Sequence, residues 1–312
     1  MEIEPINQQN LYGHESDFLE LIDLFEKNQL PNKLLFTGIK GIGKSTLAFH
    51  LINYIFSKKE NNKYDTSNNI INSENRSFKL VRNNAHPNFY YVDLLEEKKF
   101  IEISQIRKMI NYTNKSSFNN SPRIILINNV ENLNKNSINA LLKVTEEPNN
   151  NIFFIFIHNS NKNILSTLKS RCISFKIHLS FNSSKNVTNK ILNDDVLGLI
   201  NKDLINYYFT PGNYLNLINF AKKNEINLNS ISLKAFLILL IDKNYYKKDP
   251  YIEETIYDFI QFYLLKVFVN NKFKNSLVIF YEKFLQKINY TNQFNLDKES
   301  LFLEFKLKIL NE

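Results

Sequence analysis

Cysteine is nearly absent from this 312-residue chain. The one thiol, Cys172, excludes an internal disulfide framework and any zinc site built from several thiolates of the chain, and leaves the residue the role of a small buried hydrophobe. Long hydrophobic runs are missing too. No segment approaches about 18 uninterrupted apolar residues, so no membrane-spanning helix is expected. The opening Met1-Glu2-Ile3-Glu4-Pro5 is acidic and polar where a secretory signal carries a basic start and an apolar run. A cytoplasmic protein with no membrane partner is the expectation. Acidic side chains are outnumbered, 31 against 39 basic ones, for a net charge of +8. That balance suits a partner carrying phosphates, and equally a chain enriched in Lys, Asn and Ile by nucleotide bias. The length allows two or three domains, and 43% apolar residues can build ordinary cores.

The stretch from Gly38 to Thr46, Gly-Ile-Lys-Gly-Ile-Gly-Lys-Ser-Thr, follows the apolar run Lys33-Leu34-Leu35-Phe36-Thr37 and precedes the helical pattern Leu47 to Ile52. Strand, phosphate loop and helix therefore come in order. Gly38, Gly41 and Gly43 let successive N–H groups turn toward phosphate oxygens, Lys44 can reach the terminal phosphates, and the Ser45 hydroxyl can ligate Mg2+, with Thr46 beside it. Nucleotide binding is the leading expectation, with ATP or ADP and Mg2+ as ligand.

Around the loop the chain alternates. Leu19 to Phe25 repeats at helical spacing, Ser57 to Asn84 is polar and Asn-rich and reads as an exposed excursion, and Phe89-Tyr90-Tyr91-Val92 resumes as a strand. Ile103 to Ile110 is a short amphipathic helix. Arg123 to Ile127 and Ile152 to Ile157 are continuous apolar runs of the kind that parallel strands buried on both faces require, and Ser137 to Val144 between them is helical. The pattern predicts a doubly wound α/β domain. After about Ile177 the character changes: Ser180 to Asn189 is polar, and from Lys190 onward the apolar residues recur at helical spacing in blocks divided by Pro211-Gly212, Asp249-Pro250 and Asn270-Asn271. The remainder reads as helical, its Phe- and Tyr-rich blocks forming a bundle core or partly facing other subunits.

Several strings, in this order and spacing, resemble the AAA+ clamp-loader subunits of bacterial DNA polymerase III, most closely those of delta-prime type. They are Leu11-Tyr12-Gly13-His14-Glu15, the phosphate loop, His86-Pro87, Ile106-Arg107, Asn139-Ala140-Leu141-Leu142-Lys143 with Glu146-Glu147-Pro148, and Ser170-Arg171-Cys172. The resemblance covers roughly residues 10 to 177. It implies an AAA+ nucleotide-binding domain with a parallel sheet over 1–177, a small helical lid over 178–228 and an all-α collar over 229–312. It also implies partners: gamma/tau and delta subunits, a sliding clamp, and primed DNA through the assembly. Arg171 takes the place of an arginine finger given across a subunit interface to a neighbour's ATP. The alternative is an arginine in a surface salt bridge. Basic residues here are overwhelmingly lysine and no arginine follows Arg171.

The chain also departs from that pattern. Asn128 and Asn129 stand where paired acids should hold Mg2+ and polarise water, and an amide brings neither charge nor a base. Glu131 is offset from the strand end and is a poor substitute. A lid arginine is missing, with only uncharged or lysine side chains near Pro211-Gly212-Asn213. Hydrolysis at this chain's own loop is therefore not expected. His158 and Asn159 fall where the family keeps a polar sensor, and His158 reads either as that sensor or as a strand-end cap. The family's four-cysteine zinc module is replaced by Ser57 to Asn84, so no zinc is expected. Lys40 and Arg107 either track a DNA backbone or stay solvated. Two other readings compete: an autonomous ATPase, such as a gamma/tau-type motor or a helicase loader, which intact acids and a lid arginine would have favoured, and a small-molecule kinase, whose catalytic acids cannot be found.

Overall fold

A computed structural model describes residues 4–95, 98–114, 121–146, 151–206, 208–270, 275–294 and 296–310. Two compact units divide the chain, one formed by Met1–Lys190 with Thr210–Gly212, the other by Ile191–Phe209 with Asn213–Glu312.

The first unit is built on five parallel strands, β1 (Lys33–Gly38), β2 (Phe89–Val92), β3 (Arg123–Ile127), β4 (Ile152–Asn159) and β5 (Ile173–Lys176), in the order β2-β3-β4-β1-β5. The four apolar runs read from the sequence are β1 to β4, and β5 is a strand that no such run announces. β3 is buried at every position, because helices pack on both faces of a parallel sheet. Register pairs Leu35 with Phe156, Ile125 with Phe154 and Val92 with Ile127. Fully buried Phe36, Phe156 and Ile125 each contribute about 1.5–3 kcal/mol and hold the strand ends in place. β5 is an edge strand, and its Ile173 is 56% exposed.

Among the helices of this unit, α1 (Glu15–Glu26), α2 (Lys44–Ser57), α4 (Ile103–Thr113) and α5 (Lys135–Glu146) follow their sequence patterns, whereas α3 (Arg76–Arg82), α6 (Ser166–Lys169) and α7 (Phe181–Leu192) form where the sequence reads as polar or without helical pattern, α7 running to the unit's boundary. On α5, Ile138 and Leu141 turn inward. Glu147 and Pro148 of the motif that ends this helix lie outside the described residues.

Segment 57–84 is more than an exposed excursion. It buries Tyr64, Ile71, Phe78 and Val81. Tyr64 packs on Phe18 with ring centroids 5.0 Å apart and bonds His50 Nδ1 through its hydroxyl at 2.8 Å. Asn75 caps α3 by accepting from the Phe78 N–H at 2.7 Å, and the Glu60 carboxylate accepts from the N–H groups of Arg76 and Ser77 at the same helix end. The Asn-rich composition that reads as loop supplies these caps.

The second unit is helical, with α8 (Val196–Leu199), most of α9 (Pro211–Lys223), α10 (Leu233–Asp242), α11 (Tyr245–Lys248), α12 (Pro250–Asn270), α13 (Asn275–Phe294) and α14 (Lys298–Phe305). The Asp249-Pro250 separator is a helix start: Asp249 Oδ1 accepts from the Tyr251 N–H at 3.0 Å and Pro250 opens α12. One hydrophobic cluster joins Tyr214, Phe236, Phe259, Phe302 and Phe305.

Candidate nucleotide-binding site

The carboxyl ends of β1, β2, β3 and β4 meet at the phosphate loop, as the right-handed winding of parallel strands requires. Gly43, at φ +102°, turns the backbone into α2, a conformation that side-chain-bearing residues rarely adopt, and the first N–H groups of α2 are left for an anion. Thr46 lies half-buried in that first turn.

Lys44 is 6% exposed, and its Nζ donates to the Gly38 and Ile39 carbonyls at 2.8 and 2.7 Å. Burial pushes its ammonium down to about 8, Lys40 adding to that effect and the charge of Glu131 opposing it. Glu131 is thus electrically close to Lys44, which its offset in the sequence did not suggest. Its carboxylate also accepts from the Asn159 N–H at 3.2 Å.

Ser45 Oγ donates to Asn128 Oδ1 at 3.2 Å. Asn128 and Asn129 in turn both donate to Asp93, at 2.8 and 2.7 Å. Asp93 was absent from every motif, and the sole signal for it is a carboxylate directly after the Phe89 to Val92 strand. His14 also went unassigned: it is buried, with Nε2 on the Ile42 carbonyl at 2.7 Å and Nδ1 on Asp17 at 3.1 Å, and so braces the loop from α1.

His158 and Asn159 end β4 beside the loop strand. His158 Nδ1 meets Thr37 Oγ1 at 3.1 Å while Nε2 faces the Lys162 carbonyl at 2.9 Å. A carbonyl only accepts, so Nε2 donates there. Asn159 Oδ1 accepts from the Asn161 N–H at 3.2 Å.

Thr210–Gly212 belongs to this unit and lies against the loop, with the Gly212 N–H donating to the Gly41 carbonyl at 2.9 Å. A Cβ on Gly212 would stand 2.6 Å from Gly41 Cα, which is backbone and cannot rotate aside. Gly212→Ala should therefore lower stability by about 1–3 kcal/mol, read by thermal melting. Gly198→Ala is the control, because its Cβ would meet nothing within 4 Å. Equal melting shifts for the two would refute the close-packing account.

Arg171 is not part of this cluster. It lies between the short helix α6 and β5, separated from the strand by Cys172, 37% exposed in its side chain, with Nη2 on Glu146 Oε1 at 2.6 Å and Nη1 on the Thr167 carbonyl at 2.9 Å. Cys172 beside it is half-buried, packs against the sheet core, and has its thiol pushed up to about 11 by burial. Among the described residues no group of three or more His, Cys, Asp or Glu could hold a metal ion. Nor is any described helix long and apolar enough to cross a membrane.

A phosphate loop after an interior strand of a parallel sheet, polar residues at the neighbouring strand ends and a helical unit following define an AAA+ module of the α/β class, a nucleotide-binding fold. Residues 13–180, more than half of the chain, match the family described as DNA polymerase III, delta subunit, and the chain belongs to that family. A DNA polymerase III subunit delta' of Buchnera aphidicola subsp. Baizongia pistaciae is 24% identical over 231 residues, covering 68% of this chain and 66% of that protein. A subunit gamma of Buchnera aphidicola subsp. Schizaphis graminum is 29% identical over 218 residues, covering 66% of this chain and 56% of that protein. The matched stretches thus span less than two thirds of either relative's length. The fold is similar to that of a DNA polymerase III gamma subunit-related protein from Thermotoga maritima, with a TM-score of 0.51 and 14% identity over 91% of this chain and 96% of that one.

Proposed function

We propose that this chain is a delta-prime subunit of a DNA polymerase III clamp loader: a stator-like AAA+ subunit that holds nucleotide without turning it over and supplies Arg171 to a neighbouring subunit's ATP while the assembly places a sliding clamp on primed DNA. The observation that carries the reading is the pairing of a complete phosphate loop with amides at Asn128 and Asn129, in a chain whose family is that of the polymerase's delta subunits. The partners are gamma/tau and delta subunits, the compartment is the cytoplasm, and residues 178–228 and 229–312 serve as lid and collar. Phosphate binding falls to the backbone around Gly38, Gly41 and Gly43 with Lys44, and Ser45 is the protein ligand that Mg2+ would find. Mg2+ fits this set because it keeps several waters and needs few protein oxygens beside the nucleotide phosphates. His158 and Asn159 sit at the strand end where a sensor of the terminal phosphate would act.

Mixing the chain with gamma/tau and delta should give a stable complex by gel filtration, and the isolated chain should bind ADP yet hydrolyse no ATP. A chain that stays monomeric in the mixture, or that turns over ATP alone at about 1 per second, refutes the stator reading.

Lys44 gives that binding a pH signature. In the free chain the ammonium is half deprotonated near pH 8, and phosphate beside it favours the charged form. Nucleotide binding should take up about half a proton at pH 8 and almost none at pH 6.5, where the lysine is already charged. Calorimetry in buffers of different ionisation enthalpy measures this. Lys44→Arg, which stays charged, should remove the uptake; uptake that persists in this variant assigns it to another group.

A further inference from the structure

Asp93 follows β2 directly, and Val92 pairs with Ile127 across the parallel ladder. The residues just past those strands, Asp93 and Asn128, therefore emerge side by side although 35 positions separate them. The Asp93 carboxylate accepts four hydrogen bonds at this end of the sheet. Oδ2 accepts from Asn128 Nδ2 at 2.8 Å and from the Tyr91 hydroxyl at 2.6 Å, while Oδ1 accepts from Asn129 Nδ2 at 2.7 Å and the Leu94 N–H at 2.7 Å.

An amide has a sense, donor on one side and acceptor on the other. With its NH2 committed to Asp93, Asn128 must present its oxygen to Ser45, and the Ser45 hydroxyl donates to it. The hydroxyl proton then points away toward β3 and the oxygen lone pairs stay free for a cation. If the amide were turned over, its NH2 would occupy a Ser45 lone pair, and the hydroxyl proton would be driven toward the cation position. Only a fixed acceptor at position 93 selects the first arrangement. A carboxylate does so and also restores negative charge at the strand ends, where Asn128 and Asn129 bring none.

We propose that Asp93 is the positioning residue of the magnesium-nucleotide site: it locks the sense of the Asn128 amide, keeps Ser45 ready to bind the cation, and returns to β2 the charge missing from β3. This rests on the nucleotide-binding reading above.

The test is ADP affinity of the full chain, by calorimetry, with Mg2+ and with chelator. The wild-type chain should bind ADP more tightly with Mg2+. Asp93→Asn presents an amide to two amide donors, and should cut that magnesium enhancement by about 10-fold, the usual effect of losing a group that orients a metal ligand, with affinity in chelator changed less than about 2-fold. Asn128→Asp alone sets two carboxylates against each other and should melt earlier. The exchange D93N/N128D places the acid on β3 with an amide beside it, and should recover both the melting temperature and the magnesium enhancement. Recovery by the exchange supports the proposal even if the single variants fold poorly. An enhancement that survives Asp93→Asn, or an exchange that folds and binds ADP without recovering it, overturns the positioning role alone. A wild-type chain that binds no ADP in either condition overturns the nucleotide reading and this proposal together.

Discussion

Arg171→Ala should leave the chain folded and able to assemble while lowering ATP turnover at the neighbour's site by about 10³-fold or more, the scale on which an arginine finger acts. The stability half follows from what the side chain touches. One exposed ion pair to Glu146 and one bond to the Thr167 carbonyl hold it, and an exposed pair of this kind is worth about 0–1 kcal/mol. In the proposed role, the guanidinium would leave this weak pair with Glu146 for a phosphate. Its place supports the reading: it precedes the edge strand β5, where exposed Ile173 gives the surrounding surface an apolar component. Arg171→Lys should fail almost as badly, since a single ammonium cannot reproduce the planar fork on a phosphate. Glu146→Ala, which only frees the arginine, should leave turnover within about 2-fold, because surface ion pairs contribute so little. The measurement is DNA-stimulated ATPase of the reconstituted assembly, with gel filtration to establish that it forms. Unchanged turnover in Arg171→Ala refutes the role in trans. Equal losses in Arg171→Ala and Glu146→Ala would mean that the ion pair, not the free guanidinium, is what matters.

What the sequence made legible was chemistry that is local in the chain. The phosphate loop is nine consecutive residues, and the buried strands declare themselves because both faces are apolar, as at Ile124 to Ile127. Asp93 was hidden for the opposite reason. Its meaning depends on Asn128, and the two become neighbours only through the β2–β3 register. Directly after β3 the chain offers Asn128 and Asn129 and, further on, only the offset Glu131, whereas the Asp93 carboxylate stands one strand over. Segment 57–84 misled in another way. Asn and Asp read as loop formers, yet Asn75 caps a helix and Asp65 Oδ1 accepts from the Ser67 and Asn68 N–H groups, so polar residues organise a folded piece around Tyr64 and Phe78. In the sequence Gly212 reads as part of a separator between helical blocks, near the missing arginine, while its backbone lies on Gly41. The helical unit had visible periodicity, but no motif in it said which aromatic side chains point inward.

Phe302→Ala tests that helical unit and should produce the largest loss of stability among these substitutions. Phe302 is wholly buried, with Tyr246 and Tyr257 at ring-centroid distances of 4.5 and 5.5 Å. Those contacts link α14 to α11 and α12 within one cluster. Truncation to alanine removes the ring and leaves a cavity among residues that relax only in part, for a cost of about 3–5 kcal/mol. That is a large share of the roughly 5–15 kcal/mol that holds a typical domain folded. Phe302→Leu keeps most of the volume and should recover more than half of the loss. If the helical residues 229–312 act as the collar, the alanine variant should lose its place in the gamma/tau and delta complex near 37 °C while still binding ADP, because Lys44 and Ser45 belong to the other compact unit. Gel filtration at rising temperature reads the first effect and calorimetry with ADP the second. Should ADP binding and assembly fall together at one temperature, the two units unfold as one and the collar has no separable role. Should assembly persist after the helical unit has melted by circular dichroism, the docking surface lies on the nucleotide-binding unit, and the collar assignment is wrong.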